Sequence, residues 1–361
     1  MKKRVCILTW HQYHNFGSQL QAFALRKVLE KNNYDARIIN YRRSLRKESL
    51  SLLFKSVLGF FVEKTGYQKL QRYRYSWLRF QRKYLNLTRP LIKEQLKNEV
   101  KKYEVLICGS DQIWAPNVLD TTYMADFIGS SDIRKVSYAA SIGLTHIPDN
   151  MVDVYKSLLN DFEYISVRES KGAELIKSIT GLNASVVLDP TLLLKMEDYN
   201  AIEVIPSECP SRFCFCYFLN TNHWYKSLVE DYARKHDLAI IGVSSNLNDI
   251  SWMKQDLQCG PREFLWYIHH ANIVFTDSYH GTIFSLIYHT PYYVFQRFRS
   301  DDPINQNSRI IQLIDYFSIS DRYVTCGIRT LPRTNCSFNT FDETIEDLRK
   351  SSTCYLMEAL K

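Results

Sequence analysis

Short runs of apolar residues alternate with helix-periodic segments along almost the whole chain, and a polar loop follows nearly every run. That alternation restricts the chain to α/β architectures built on parallel sheets, because parallel strands need a crossover and a helix is the usual one. Arg4–Thr9 reads as a strand, a turn carries Asn15, Gly17 and Ser18, and a helix follows with Leu20, Phe23, Ala24 and Leu29 on its apolar face. Further strands are expected at Ala36–Tyr41, Glu104–Cys108, Lys135–Ala139, Tyr164–Val167 and Ser185–Leu188, with helices near Met151–Asn160 and Glu169–Ser178. Asp189-Pro190 ends the last of these runs, and the polar stretch Glu197–Pro210 marks a domain boundary. The second half repeats the logic, with strands near Arg212–Phe218, Leu238–Val243, Ile273–Thr276 and Tyr292–Phe295. Helices near His223–Lys235, Pro261–His270, His280–Tyr288 and Arg309–Tyr316 alternate with them. The expectation is two Rossmann-like α/β domains, residues 1–195 and 196–335, facing each other across a cleft. A last helix within 336–361 would cross back onto the first domain.

Doubly wound sheets bind ligands beyond the carboxyl ends of their strands, so the strand-end loops are where chemistry is expected. Asn15–Ser18, Gly109–Trp114, Ser141–Gly143 and Arg168 follow first-domain strands, and Ser278–Gly281 follows a second-domain strand. Phe275–Phe284 is the most telling of these segments. It puts His280 where a buried strand turns into a helix, beside unpaired N–H groups and the positive end of the helix dipole, which suit a phosphate or carboxylate. His280 adds a group able to carry a proton near neutrality; a structural histidine would look the same from sequence. Gly17 alone is no dinucleotide fingerprint and no Walker loop occurs, so no nucleotide cofactor is indicated.

Of 361 residues, 45% are hydrophobic, enough for substantial cores, and no apolar stretch reaches the ~18 residues of a spanning helix. No secretory leader is read at the N-terminus, and nine scattered cysteines fit a reducing bacterial cytoplasm. Cys214 and Cys216 lack a second pair at zinc-ligand spacing, so no metal is expected. The net charge of +8 is uneven: residues 42–102 carry 17 Lys or Arg against four acids. This segment reads as a helical insertion with an apolar stripe at Leu50, Leu53, Phe54, Val57, Leu58 and Phe61. Its basic residues interleave with Tyr67, Tyr73, Tyr75, Trp77, Phe80 and Tyr84, a pattern that suits nucleic acid, an anionic membrane or a phosphorylated substrate. A solvated insertion is the plain alternative. Only this segment speaks for nucleic acid, which is therefore not expected as a partner.

Seven segments in order resemble the polysaccharide pyruvyl transferase family: Asn15-Phe16-Gly17-Ser18 with Leu20, Gln21, Ala24 and Leu25; Gly109-Ser110-Asp111-Gln112-Ile113-Trp114; Ser137–Gly143; Ser166-Val167-Arg168-Glu169; Asp189-Pro190; Gly260–Phe264; and Thr276–Gly281. The resemblance implies a GT-B-like fold and transfer of pyruvate from phosphoenolpyruvate to a sugar of a bacterial surface polysaccharide precursor, with phosphate released. It implies no cofactor, a lipid-linked oligosaccharide or polysaccharide precursor as acceptor, and a place at the inner face of the membrane. His280 matches the family's histidine and takes the acid/base role, with Asp111 as a second candidate. Arg168 matches the family's arginine and would grip phosphate or carboxylate in a fork, with Arg262 and Arg309 as candidates for the other anionic group. Gly109, Ser110, Gln112 and Trp114 form a candidate acceptor loop, Trp114 offering a stacking face. Asn15, Gly17 and Ser18 would shape the cleft floor, and Ser278, Tyr279 and Gly281 complete the histidine loop. Ser278 departs from the arginine that well-known members carry two residues before the histidine. The competing reading is a GT-B glycosyltransferase with a sugar-nucleotide donor.

Overall fold

The structure, a computed structural model, describes residues 2–12, 14–44, 75–129, 132–220, 224–244, 252–256, 259–299, 302, 305–332 and 336–361. In the first half, β1 (Arg4–Leu8), β2 (Asp35–Ile38), β3 (Val105–Cys108) and β4 (Arg134–Ser137) form a parallel sheet in the order β2-β1-β3-β4. Single bridges from Val136 to Tyr164 and from Ala140 to Val167 continue it toward β5 (Ser166–Val167), which pairs with β6 (Ser185–Val186). β3 is buried at every position, the pattern of a strand covered on both faces.

The second half holds β7 (Phe213–Phe218), β8 (Ala239–Ser244), β9 (Lys254–Gln255), β10 (Ile273–Thr276), β11 (Tyr292–Phe295) and β12 (Tyr323–Val324). They form a second parallel sheet in the order β12-β11-β10-β7-β8-β9. The four strands expected there fall on β7, β8, β10 and β11; β9 and β12, two residues each, are too short for a periodicity to register.

Helix α1 (Phe16–Lys31) lies between the two halves. Its first residue, Phe16, stacks on Phe264 of α2 (Pro261–His270), with ring centroids 4.4 Å apart, and meets Tyr217 of β7 edge-on at 5.5 Å. One continuous apolar core therefore joins both sheets, each large side chain in it contributing roughly 1.5–3 kcal/mol by burial. Helices α3 (Tyr279–Ile287) and α4 (Ser308–Phe317) follow β10 and β11. The closing helix α5 (Asn339–Ala359) returns to the first half: Leu188 N donates to Ser352 Oγ (3.0 Å), Tyr355 Oη to the Ser137 carbonyl (3.2 Å), and Arg349 to the Leu192 and Leu194 carbonyls.

The basic segment reads differently in three dimensions. Trp77 and Phe80 are buried, Trp77 beside Phe16 at 4.8 Å and Phe80 against Phe23 at 6.1 Å, so they are core residues rather than a stacking face. Lys93 pairs with Asp126, and Lys97 and Lys101 with Asp132, so acids from outside the segment answer part of its charge. The stripe from Leu50 to Phe61, with Tyr67 and Tyr73, lies outside the described residues. No helix among the described residues is long and apolar enough to cross a membrane.

Candidate functional site

The ends of β1, β3, β10 and β11 and the start of α4 converge on a cavity of about 320 Å³. A second compartment of about 740 Å³ adjoins it, and Trp10, Asn15, Asp111, Gln112, Asn117 and Val118 border both.

His280 reaches this cavity because the turn after β10 is bonded at every step. Thr276 Oγ1 donates to the Tyr217 carbonyl (2.7 Å) and accepts from Ser278 N (3.0 Å). Ser278 then caps α3, its Oγ accepting from Gly281 N at 3.4 Å. Asp277 ties the turn to the end of β7 by accepting from Leu219 N (2.7 Å) and Asn220 N (3.1 Å). Burial pushes the Asp277 carboxyl up to about 6, against the opposing pull of Arg297 and those two donors. Gly281 is required by close approach: a Cβ there would sit 2.3 Å from Thr276 Oγ1. Gly17 serves the histidine in the same way, since a Cβ on it would lie 2.0 Å from His280 Nδ1.

Behind His280 lies a buried chain of polar groups. Its Nε2 faces Asp189 Oδ2 at 3.5 Å; the same oxygen pairs with Arg168 Nη2 at 2.8 Å, and that nitrogen donates to Ser110 Oγ at 2.7 Å. Burial alone would raise the Asp189 carboxyl, but the charges of Arg168 and then His280 outweigh it and hold the group well below the usual carboxylate range. An ionised Asp189 thus faces the buried edge of the imidazole, whose Nε2 makes no hydrogen bond.

Two arginines flank the ring of Tyr279, Arg168 on the inner side at 5.0 Å and Arg309 at 5.8 Å. Arg309 lines the cavity although it is 8% exposed; its Nη2 donates to Gln306 Oε1 and its Nε has no hydrogen-bond partner. Burial and the neighbouring Arg168 pull its guanidinium down to about 10, against the opposing pull of Glu169 and Asp111. Arg297 and Asn307 line the cavity beside it. On the opposite wall Asp111 holds a left-handed backbone (φ 75°) that aspartate tolerates better than most residues. Its carboxylate accepts from Ser18 Oγ (2.5 Å) and Gln112 N (2.9 Å). Asn15 caps α1 by accepting from Ser18 N, and Gln112 Nε2 crosses the cleft to Gln306 Oε1 at 2.9 Å.

The structure therefore brings His280, Asp111, Arg309, Asn15, Gln112, Ser278 and Tyr279 to one cavity, with Ser18 on the adjoining compartment. It sets others elsewhere. Trp114 is fully buried and donates its indole N–H to the Tyr123 carbonyl, so it offers no face to a sugar. Ser110 is buried under Arg168, and Gly109 (φ 132°) lets the backbone approach Tyr138, whose carbonyl would be 2.1 Å from a Cβ. Arg168 faces Asp189 rather than the cavity. Arg262 donates to the Ile202 carbonyl (2.6 Å) and lies over Tyr84, away from the cleft lining. The N–H groups of Ile142 and Gly143 are taken by Glu169, which also accepts from Ser141 Oγ. Unanticipated contributors are Asp189, Arg297, Gln306, Asn307, Trp10 and Asn117. Asp189 had a signal, an aspartate at a strand end in a family segment; Arg297, just after β11, had only its position at a strand's carboxyl end. Among the described residues Glu203, His269 and His270 bring ligand atoms within 4.8 Å of one another, outside the cleft lining.

A family model described as polysaccharide pyruvyl transferase matches residues 15–297. No curated protein matches the chain. Among solved structures, the UDP-GlcNAc 2-epimerase from Methanocaldococcus jannaschii superposes with a TM-score of 0.50 at 13% identity, over 96% of this chain and 92% of that one. The UDP-GlcNAc 2-epimerase from Neisseria meningitidis gives 0.49 at 10% identity over 99% and 94%. The glycosyltransferase SnogD from Streptomyces nogalater gives 0.48 at 10% over 99% and 100%. At such identities the likeness speaks to fold alone, and the fold is GT-B-like.

Proposed function

This chain belongs to the polysaccharide pyruvyl transferase family and is a transferase, and we propose that it moves pyruvate from phosphoenolpyruvate to a sugar of a polysaccharide precursor, closing a cyclic ketal and releasing phosphate. The observation that supports this most is His280, backed by ionised Asp189 and set in a cavity shared with Arg297, Arg309 and Asp111. Arg297 and Arg309 would bind the donor's carboxylate and phosphate, taking the place of the arginine that Ser278 replaces. Protonation of C3 by His280 makes C2 electrophilic. One sugar hydroxyl adds to C2, the bond from C2 to the phosphate oxygen breaks with its electron pair leaving on phosphate, and the second hydroxyl closes the ring. Of the two hydroxyl protons, the balance leaves one on C3 and the other on phosphate; Asp111 would receive the proton of the attacking hydroxyl. Arg168 acts through Asp189 as a positioning residue.

The sugar-nucleotide alternative draws little support from the cavity lining: among its described residues the acids are Asp111 and Asp277, and Asp277 is held by Leu219 N and Asn220 N at the end of β7. The test is phosphate release from phosphoenolpyruvate in the presence of precursor oligosaccharides, with UDP-sugars as the competing donors. Release that depends on acceptor supports the reading, and turnover of UDP-sugars alone rejects it.

A further inference from the structure

Away from the cleft, the end of α2 meets the connection between the two sheets. Glu203 stands in that connection, between β6 and β7, and His269 and His270 are the last two residues of α2. Ligand atoms of the three lie within 4.8 Å of one another. We propose that Glu203, His269 and His270 form a binding site for a divalent late transition metal, Zn²⁺ foremost, which clips the connection to the second domain. The site is independent of the transfer reading.

His269 Nδ1 stands 3.1 Å from Glu203 Oε2 and 3.3 Å from Oε1. Ligand atoms around a tetrahedral Zn²⁺ stand about 3.4 Å apart, given bonds of ~2.0–2.2 Å, so this pair needs little adjustment to share an ion. The His269 ring is stacked on Tyr288, centroids 4.4 Å apart at 12°. His270 is the exposed member and has room to close on the pair. Its Nδ1 lies 3.0 Å from the Trp266 carbonyl, and its ring stacks on Trp266 at 4.4 Å. A carbonyl only accepts, so Nδ1 carries the proton, and in the neutral ring Nε2 keeps the lone pair. Metal-ligating histidines are commonly oriented in this way, by giving the other N–H to a carbonyl.

Two features favour a cation there. The histidines close α2 at the negative end of its dipole. Tyr288, 5% exposed, stands near enough to Glu203 that burial and then this carboxylate push its phenol up, yet its Oη closes no hydrogen bond. A buried hydroxyl without a partner is costly, and a water completing the ion's coordination would donate to it. Two imidazoles and one carboxylate suit Zn²⁺, Cu²⁺ or Ni²⁺ rather than Mg²⁺ or Ca²⁺. In sequence the set is hidden, because Glu203 is 66 positions from His269 and two adjacent histidines match none of the usual zinc spacings.

The test takes the whole protein, stripped with EDTA, and titrates it with Zn²⁺ in a calorimeter, with Co²⁺ as a spectroscopic stand-in. Wild type should bind Zn²⁺ and melt at a higher temperature with it than without, and Mg²⁺ should not compete. Glu203→Gln and His270→Ala should each weaken binding by at least ~10-fold, a scale that even an outer-shell partner of a metal reaches, and should remove the Zn²⁺-dependent rise in melting temperature. In EDTA, His270→Ala should melt as wild type does. Co²⁺ separates this site from the cysteines: nitrogen and oxygen ligation gives ligand-field bands without a thiolate charge-transfer band. No Zn²⁺ binding by wild type, wild-type affinity in either variant, or a thiolate band that accounts for all the bound Co²⁺ overturns the proposal. Should Glu203→Gln fail to fold, His270→Ala and His270→Gln decide in its place, and wild-type affinity in both overturns it.

Discussion

Gly17→Ala is predicted to disable transfer without unfolding the protein. The added Cβ would lie 2.0 Å from His280 Nδ1, 2.5 Å from Cγ and 2.7 Å from Cε1, whereas ordinary contacts begin near 3.4 Å. The ring must therefore retreat by about 1.4 Å, the difference between 3.4 and 2.0 Å. It is 6% exposed and confined by Asp189 and Tyr279, so it has little room to do so without leaving its place. Misplacing a reacting group by ~1 Å costs on the order of 10²-fold, about 2.7 kcal/mol of transition-state stabilisation. Folding is disturbed less: alanine in a helix gains up to ~1 kcal/mol over glycine, against ~1–3 kcal/mol for overpacking. The assay is kcat/KM for transfer, read with the His280 ring resonances and a thermal melt. Gly181→Ala serves as the control, because no atom lies within 4 Å of the added Cβ while its φ of 78° strains the backbone; it should lose stability and keep activity. Wild-type kcat/KM in Gly17→Ala with unshifted His280 resonances would refute the placement of the histidine.

Arg168→Ala strands Asp189 in the interior and should cost ~3–5 kcal/mol of stability in denaturant melts; a melt like that of wild type would mean the pair is not formed. Arg309→Lys should raise the KM for phosphoenolpyruvate by about tenfold while the melt stays unchanged, because the planar fork is lost and the charge kept; an unaltered donor KM removes Arg309 from the donor site. Asp277 gives a pH signature. Its carboxyl ionises near 6 in the fold against an ordinary 3.8, so the folded state holds the proton more tightly, and the advantage is complete below about pH 4 and lost as pH rises through about 6. Relative to Asp277→Asn, wild type should therefore lose on the order of 3 kcal/mol between those limits, at roughly 1.4 kcal/mol for each pH unit. A flat or rising difference contradicts it.

Much of the fold was legible because its signals are local. Val105–Cys108 is apolar without a break and Ile273–Thr276 is bounded by Asn272 and Asp277, so both read as buried strands from composition alone. His280 and Asp111 were legible for a related reason, since each follows such a strand. Trp114 misled because an aromatic residue in a polar loop looks alike whether it faces a ligand or a core; only the turn at Thr121–Met124, which brings the Tyr123 carbonyl to the indole, decides it. Arg168 could be read as a clamp until Asp189, 21 positions away, was found beside it in the interior. Arg297 and Trp10 depend on how two sheets face each other, and no periodicity encodes that. The basic segment's charge looked unbalanced because Asp126 and Asp132, its partners, lie beyond it in sequence.

The central claim is tested most directly by following phosphoenolpyruvate isotope-labelled at C2 into the product with a precursor oligosaccharide as acceptor. The account predicts that the label appears as a ketal carbon on the sugar, in step with phosphate release, and that His280→Gln lowers this by at least ~10²-fold. Phosphate release that leaves the label in free pyruvate whatever acceptor is supplied, or a ketal formed equally well by His280→Gln, would contradict it.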